Sequence, residues 1–474
     1  MNQYQQIASE IESQIQTGTL LPGGKLPSVR ALARLRGISP TTVTEVYELL
    51  KLRGAIEARA RSGYFVSQTT LVPLHLPDRD VVLLPSASAA SEDLLQDMLA
   101  AGNDDRIFPF GAAIPAAEFF PVATLNRLMR KILRSNPELL AAYRFAPGSS
   151  ALRETLARRY QRLGLKVTAK ALVTTAGAIE GIGLALGAVA EPGATIALEA
   201  PTYPGIFQLV RSLGYRVLEI PLDASRGLTP EALQAAVRKA RGKLKAVVSI
   251  PNFSNPLGAR VSDADKQELV RIASREGVVL IEDDIYGDLA YSRDRPKPLK
   301  AFDRDDSVIL CTSFSKTLSP ALRVGCVISD KYAARLGALK YARASGVSAL
   351  NEEVLRQFLE HGSYERHLAR VRAEYQTLMA RYSREVLQQF PAGTRVAQPQ
   401  GGFILWVELP PGVDSALVQK NALRHRISVA PGSIFSDGGL HYRNYIRLNC
   451  GLPWTPAAQK ALSQLARICA EQVP

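Results

Sequence analysis

Seven short apolar runs constrain this chain more than any other feature: Ala171–Thr175, Thr195–Glu199, Arg216–Ile220, Ala246–Ile250, Val278–Glu282, Val308–Cys311 and Val324–Ile328. Each has the length of a buried strand, and helix-length stretches such as Ser262–Arg275 lie between them. This alternation, which starts near Phe108, predicts an α/β domain with a mostly parallel sheet. Ligands of such sheets bind beyond the carboxyl ends of the strands. The residues that follow each run are therefore where chemistry is expected.

The run Val308–Cys311 leads into Ser313-Phe314-Ser315-Lys316, and Arg323 comes seven residues later. A lysine just past a buried strand loses hydration, which lowers its pKa and frees the amine as a nucleophile. Ser313, Ser315 and the planar fork of Arg323 carry the donors to hold one phosphate. Taken alone, Lys316 would read more readily as a solvated lysine on a polar turn. Its company changes that. Ala176-Gly177-Ala178 opens a helix after the first run, and Pro201-Thr202-Tyr203-Pro204 follows the second. Asn255-Pro256-Leu257-Gly258 follows the fourth and Asp283-Asp284-Ile285-Tyr286 the fifth. Tyr143 precedes RFAPGSSALRETLARRY, and the C-terminal part carries QGGFILWVEL, VAPGSIF and NYIRLNC.

In this order the motifs resemble those of the fold-type I aminotransferases of class I/II, which use pyridoxal 5′-phosphate (PLP). The resemblance implies a large domain built on the mostly parallel sheet and a smaller C-terminal α+β domain. It implies that Lys316 is the catalytic lysine, carrying PLP as a Schiff base. The phosphate would lie among the amides at Gly177 and Ala178 and the side chains of Ser313, Ser315 and Arg323. Tyr203 would stack on the pyridine ring, and Asn255 and Tyr286 would hydrogen-bond its 3′-oxygen. Asp283 would face the ring nitrogen, where a carboxylate keeps N1 protonated and makes the ring an electron sink. Tyr143 would reach the phosphate of a neighbouring subunit, so the site would need a homodimer. Arg447 matches the arginine that grips a substrate carboxylate through two parallel hydrogen bonds. Ile179 stands where the family commonly has glutamine, which removes one side-chain phosphate contact and leaves the amides.

The first 68 residues have a different period. Ile7, Ile11 and Ile15 form one apolar helical stripe that Gly18 ends. Leu21-Pro22-Gly23-Gly24 is a turn, and Ser28 caps a second helix, Ser28–Arg36, stopped by Gly37. Ser39 caps a third, Pro40–Arg53, with Pro40 at the first helical position and Gly54 at the end. Short strands, Ile56–Arg59 and Tyr64–Ser67, flank Arg61-Ser62-Gly63. Helix, turn, helix and hairpin in this order make a winged helix-turn-helix, mainly α. The segment from Gly18 to Val66 resembles the GntR-type DNA-binding domain nearly end to end. The third helix would enter the major groove of an operator with Ser39, Thr41 and Thr42 at its start. Ser28 and Arg30, early in the second helix, would face phosphate or a guanine edge, and Gly63 at the wing tip would approach the minor groove. Pro40 occupies a position that is often arginine in the family.

Residues 69–105 have no continuous period; Pro73, Pro77 and Pro85 interrupt them, and Ser86–Ser91 is small and polar. Glu92–Ala101 is a candidate short helix. As a flexible coil this linker would span about 34 Å root-mean-square, enough to put the DNA-binding unit on another subunit. The formal charge is +14, of which residues 1–68, with eight Lys/Arg and five Asp/Glu, hold only +3. A basic excess suits an anionic partner without naming one. The four cysteines are far apart, with no CxxC pair, so a disulfide framework or zinc site is not expected and a reducing compartment is. No signal sequence and no apolar run of membrane-spanning length is read, so a cytoplasmic protein is expected.

A GntR-type winged helix at 1–68, a linker at 69–105 and an aminotransferase-like domain at 106–474 resemble the MocR subfamily of bacterial transcription regulators. That resemblance implies a PLP-dependent regulator, a head-to-tail homodimer whose body senses a small amino-acid-like effector or PLP itself. A working aminotransferase with a DNA-binding appendage is the alternative, because the catalytic residues are present.

Overall fold

The computed structural model describes residues 3–16, 19–20, 23–52, 55–59, 62–66, 74, 76–84, 89–292, 294–360, 362–436, 438–439 and 441–473. Gly18, Leu21, Pro22, Arg53, Gly54, Arg61, Ser67, Pro73 and Pro85, which the sequence reading invoked, lie outside them. Helices α1 (Gln3–Gln16), α2 (Val29–Arg36) and α3 (Pro40–Leu52) precede the hairpin β1 (Ile56–Arg59) and β2 (Gly63–Val66). Ile7 and Ile11 are buried with Leu32, Val43, Val46, Tyr47, Leu50, Ile56 and Val66, a core separate from the rest of the molecule. The Ser28 hydroxyl accepts from the Ala31 amide, and Gly37 closes α2 in the left-handed region.

The next segment contains the expected short helix but differs from the expected coil before it. Val82–Leu83 (β3) adds to the edge of the main sheet, antiparallel to the strand Arg216–Pro221, and Ala89–Ala101 forms α4. Arg79 is buried there, its Nη2 2.6 Å from Glu219 Oε2. Val81, Leu95 and Met98 join the core. Two residues of strand are too few to show a period, and the docking is driven by apolar contacts and one ion pair.

After β4 (Phe108–Pro109), α5 (Val122–Ser135) and α6 (Ser150–Arg162), the large domain runs β5 (Leu172–Thr175), α7 (Ala178–Val189), β6 (Thr195–Ala200), α8 (Pro204–Ser212), β7 (Arg216–Pro221) and α9 (Pro230–Ala240). It continues through β8 (Leu244–Ser249), α10 (Asp263–Glu276), β9 (Val279–Asp283), β10 (Val308–Ser313) and β11 (Gly325–Ile328). The strand order is β3-β7-β6-β8-β9-β10-β11-β5. Strands β6 to β10 run parallel, while β3 and β11 pair antiparallel to their neighbours. All seven expected strands are present within two residues of their expected ends, and Ser262 caps α10 as its sequence suggests.

Helices α11 (Ala333–Ala344), α12 (Ala349–Glu360) and the long α13 (Ser363–Gln389) lead to a small lobe. There β12 (Arg395–Val396), β13 (Ile404–Glu408), α14 (Ser415–Arg424), β14 (Ile427–Ser428), β15 (Ala430–Pro431), β16 (Tyr445–Asn449) and α15 (Pro456–Ala470) form a second sheet in the order β12-β13-β16-β15, covered by helices. Strand β14 pairs instead with β4, tying the start of this region to its end. The seam between the lobes lies at the carboxyl ends of β8, β9 and β10, and the expected cofactor and substrate residues other than Tyr143 meet there.

Candidate functional site

Lys316 follows β10 on a turn packed under Phe314 and Leu318, both buried. Its Nζ donates to the Ala113 carbonyl at 2.7 Å. Burial first, then the positive charges of Arg447 and Arg323, pull its pKa down to about 8, against an opposing pull from Asp283. The loop is held from behind. His367 Nε2 donates to the Thr317 carbonyl at 2.7 Å. The Tyr364 hydroxyl, on the same helix, lies 2.8 Å from Thr317 Oγ1 and 2.7 Å from Asp288 Oδ2. Asp288 is largely buried, which opposes its charge, but Arg159 and Arg295 hold it ionised well below the usual carboxylate range. The sequence reading missed Tyr364, His367 and Asp288; their signal is only a helix period and one loop acid.

Gly177 precedes α7 with φ +105, and a β-carbon there would stand 2.9 Å from Arg323 Nη2. Arg323, itself in the left-handed region at φ 49, donates to the Ala176 carbonyl and reaches Ser315 Oγ at 3.3 Å. Ser315 Oγ is 2.9 Å from Ser313 Oγ. Ala178 begins the helix, so its amide stands at the positive end of the α7 dipole. This is a cup of one guanidinium, hydroxyls and amides, suited to a phosphate. The structure adds Glu180, which accepts from the Ala176 amide at 2.6 Å and pairs with the fully buried Lys340 at 2.8 Å.

Asp283 ends β9 and is 4% exposed, yet its Oδ1 has no hydrogen-bond partner among the described residues. Burial, then the neighbouring Asp284, raise its pKa to about 7. A buried acceptor left unmade costs about 1–3 kcal/mol, so a donor placed opposite it is favoured. Asn255 Oδ1 is also unpartnered, and the Asn255 side chain reaches the Tyr286 hydroxyl. Tyr203 caps α8 and shares the field of Arg447, Asp283 and Arg323. Beneath them Glu199 takes hydrogen bonds from Ser249 Oγ and from the Ile250 amide at 3.1 Å.

Arg447 lies on β16, in register with Trp406 on β13 and Ala430 on β15, and is 1% exposed. Its Nη2 donates to the Gly111 carbonyl, the guanidinium sits 5.4 Å over the Phe435 ring, and Nε has no partner among the described residues. Burial lowers its pKa to about 10, so it stays charged at neutral pH. A buried cation with an unused donor is a place for a carboxylate.

One expected residue stands apart. Tyr143 is 79% exposed, stacked on Phe145 with ring centroids 5.4 Å apart, and lies outside the chamber. At the other site, Ser39 Oγ accepts from the Thr42 amide at 3.0 Å and lies 2.9 Å from Thr42 Oγ1. Ser39 thus caps α3 as expected, with the Thr42 hydroxyl beside it, and Thr41 is exposed. Arg30 is exposed, and Gly63 has φ +102 at the start of β2. Lys25 and Arg59 flank the Phe65 ring beside the wing, at 5.7 and 4.4 Å from its centroid; the sequence reading passed over both.

Residues 3–66 match the family of bacterial regulatory proteins, gntR family, and residues 118–457 match aminotransferase class I and II. The HTH-type transcriptional regulator YjiR of Escherichia coli is 37% identical over 465 residues, 98% of each chain. The chain is a MocR-type member of the gntR family. This MocR-type regulator is also 33% identical to the HTH-type transcriptional regulator YdcR of Escherichia coli over all of both chains. Its body is similar to the α-aminoadipate aminotransferase LysN of Thermus thermophilus, solved with N-(5′-phosphopyridoxyl)-L-leucine. That match has a TM-score of 0.72 and 26% identity, covering 81% of this chain and 95% of that one. The fold is that of PLP-dependent enzymes, and the residues present fit PLP: the cup at Gly177 and Arg323, the unpartnered Asp283 and Asn255 oxygens, and the depressed Lys316 amine. PLP bound there supplies an aldehyde for amines and a ring that takes up electrons from the carbon beside them.

Proposed function

We propose that this DNA-binding regulator is a homodimer whose aminotransferase-like body senses a small amino-acid-like effector. Arg447 carries the reading: a buried guanidinium with a spare donor, in one chamber with Lys316 and Asp283, on a chain that also bears a winged helix. An α-amino acid fits with its carboxylate on Arg447 and its amine toward Lys316. Lys316, Asp283, Tyr203, Asn255, Tyr286, Ser313, Ser315, Arg323, Gly177 and Ala178 would hold PLP. Arg30, Thr41 and Gly63 would lie at the operator, with Ser28, Ser39 and Thr42 setting the two helices. The proposed division remains 1–68, 69–105 and 106–474. Tyr143 and Phe145, both exposed, support a face for a second copy, arranged head to tail, with Tyr143 reaching the other subunit's phosphate. No described helix is long and apolar enough to cross a membrane, and a regulator that binds operator DNA would work in the cytoplasm.

The test is an operator mobility shift with PLP-loaded protein, with and without candidate amino acids. A shift that no amino acid alters, while added PLP alters it, would favour PLP itself as the signal. A second reading has its own observation: the lysine and the acid of an aminotransferase are both in place. Conversion of added amino acid to keto acid over many turnovers would favour that reading.

A further inference from the structure

Helix α5 carries Arg127, Arg130, Lys131 and Arg134 along one exposed face, from its second turn to its last. No acidic residue occurs between Glu118 and Glu138. None of the four cations meets a carboxylate among the described residues. On the adjoining α12, Glu353 and Glu360 pair with Arg356, and Glu352 is fully buried, one oxygen accepting from the Ser149 amide. The four cations lie with Asn126 and Ser135 on this open, solvent-facing side of α5. Nothing in the PLP chamber uses them.

Position on the helix separates this face from an ordinary solvated one. Arg238, Lys239 and Arg241 also cluster, but they sit at the carboxyl end of α9, where cations offset the helix dipole. Arg127 and Arg130 lie too far from the end of α5 for that role. From Arg127 to Arg134 the face extends about 10 Å, a length along which duplex DNA presents about six phosphate charges. The place in the fold agrees: α5 packs on α12, α12 on α13, and α13 touches α3.

We infer that the exposed face of α5 is a second DNA surface, which grips phosphates flanking the operator while the winged helix reads it. The inference rests on DNA binding by the winged helix. Phosphate contacts carry no sequence information, so this surface adds affinity and sets the protein's orientation on the duplex.

The test uses full-length, PLP-loaded protein and a duplex selected from a random pool. The duplex is prepared as its protected core alone and with flanks of about two helical turns on each side. Arg127, Arg130, Lys131 and Arg134 are changed together to Gln. A charge-matched control changes Arg238, Lys239, Arg241 and Lys243 to Gln. On the flanked duplex the α5 variant should bind at least tenfold more weakly, with a salt slope shallower by about 3–4. On the bare core it should match the wild type, and the control variant should match it on both. Equal slopes for wild type and α5 variant on the flanked duplex would overturn the inference, as would an equal loss from the control, which would report only net charge. Either result leaves the winged-helix reading standing. Wild type that fails to bind the bare core would overturn that reading and this inference with it.

Discussion

Gly177 and Arg323 face each other so closely that a β-carbon on the glycine would stand 2.9 Å from Arg323 Nη2. The glycine backbone has φ +105, which a side chain strains whatever the space. Gly177→Ala should therefore displace the guanidinium from the phosphate cup and weaken PLP binding by about 1–3 kcal/mol, a factor of about 5–150. Gly181, one turn along, lacks a positive φ, and its added carbon would meet Cys311 at an ordinary 3.5 Å. Gly181→Ala should leave PLP affinity nearly unchanged. PLP titration by visible absorbance checks both, and equal losses would refute the cup.

Lys316 sets a pH dependence. Its folded pKa, lowered to about 8, means the amine is largely protonated below that pH and neutral above it. The rate at which apoprotein captures PLP should rise as pH increases through about 8 and then level off. Arg447 and Arg323 are the charges that, after burial, hold this value down. Arg447→Gln should move the midpoint to higher pH, and Asp283→Asn should move it lower. Lys316→Ala should abolish covalent capture, measured as protein-bound pyridoxyl after borohydride reduction. A midpoint indifferent to Arg447 would separate the two residues.

The body of the fold was legible because its strands are buried on both faces and therefore read as continuous apolar runs, ending at Thr175, Ser249, Asp283 and Ser313. The chamber was legible because its residues follow those runs, apart from Arg447, which was found through the NYIRLNC motif. What escaped were residues placed by tertiary contact alone. Val82–Leu83 is too short to show a period, and Arg79 finds Glu219 across 140 positions of sequence. The Ser39 cap, by contrast, was legible, because a hydroxyl before a helix is drawn to the unpaired amides there.

That capping bears on the operator. With Ser39 and Thr42 holding α3, readout falls more heavily on Arg30, Thr41 and the wing. Arg30→Ala should weaken operator binding by about 1–3 kcal/mol if it reads a guanine, and relax preference at that base alone. Ser39→Ala should act differently, costing about 1 kcal/mol of winged-helix stability with little change in sequence preference. Selection of DNA from a random pool, run with each variant beside wild type, distinguishes the two. Unchanged preference at every base for Arg30→Ala would restrict that residue to phosphate.

The last prediction joins the halves of the chain. Arg79 lies in the segment leading from the winged helix, with Nη2 2.6 Å from Glu219 on β7 and Nη1 3.3 Å from the Tyr442 hydroxyl. Tyr442 precedes β16, the strand that carries Arg447, and its ring packs with Trp406 and Tyr445. A carboxylate drawn to Arg447 that moved the small lobe would therefore move Tyr442 against Glu219, with Arg79 held between them. Coupling of this kind is reciprocal: an effector that changes DNA affinity has its own affinity changed by DNA by the same factor, typically about 1–3 kcal/mol. Arg447→Ala should abolish effector binding and its influence on DNA while PLP stays bound. Arg79→Lys, which keeps the charge and loses the fork, should leave effector and PLP affinity near wild type and reduce the coupling. Effector titrations with and without operator DNA measure it for each protein. If Arg79→Lys retains the full difference between the two titrations, the signal does not pass through this contact.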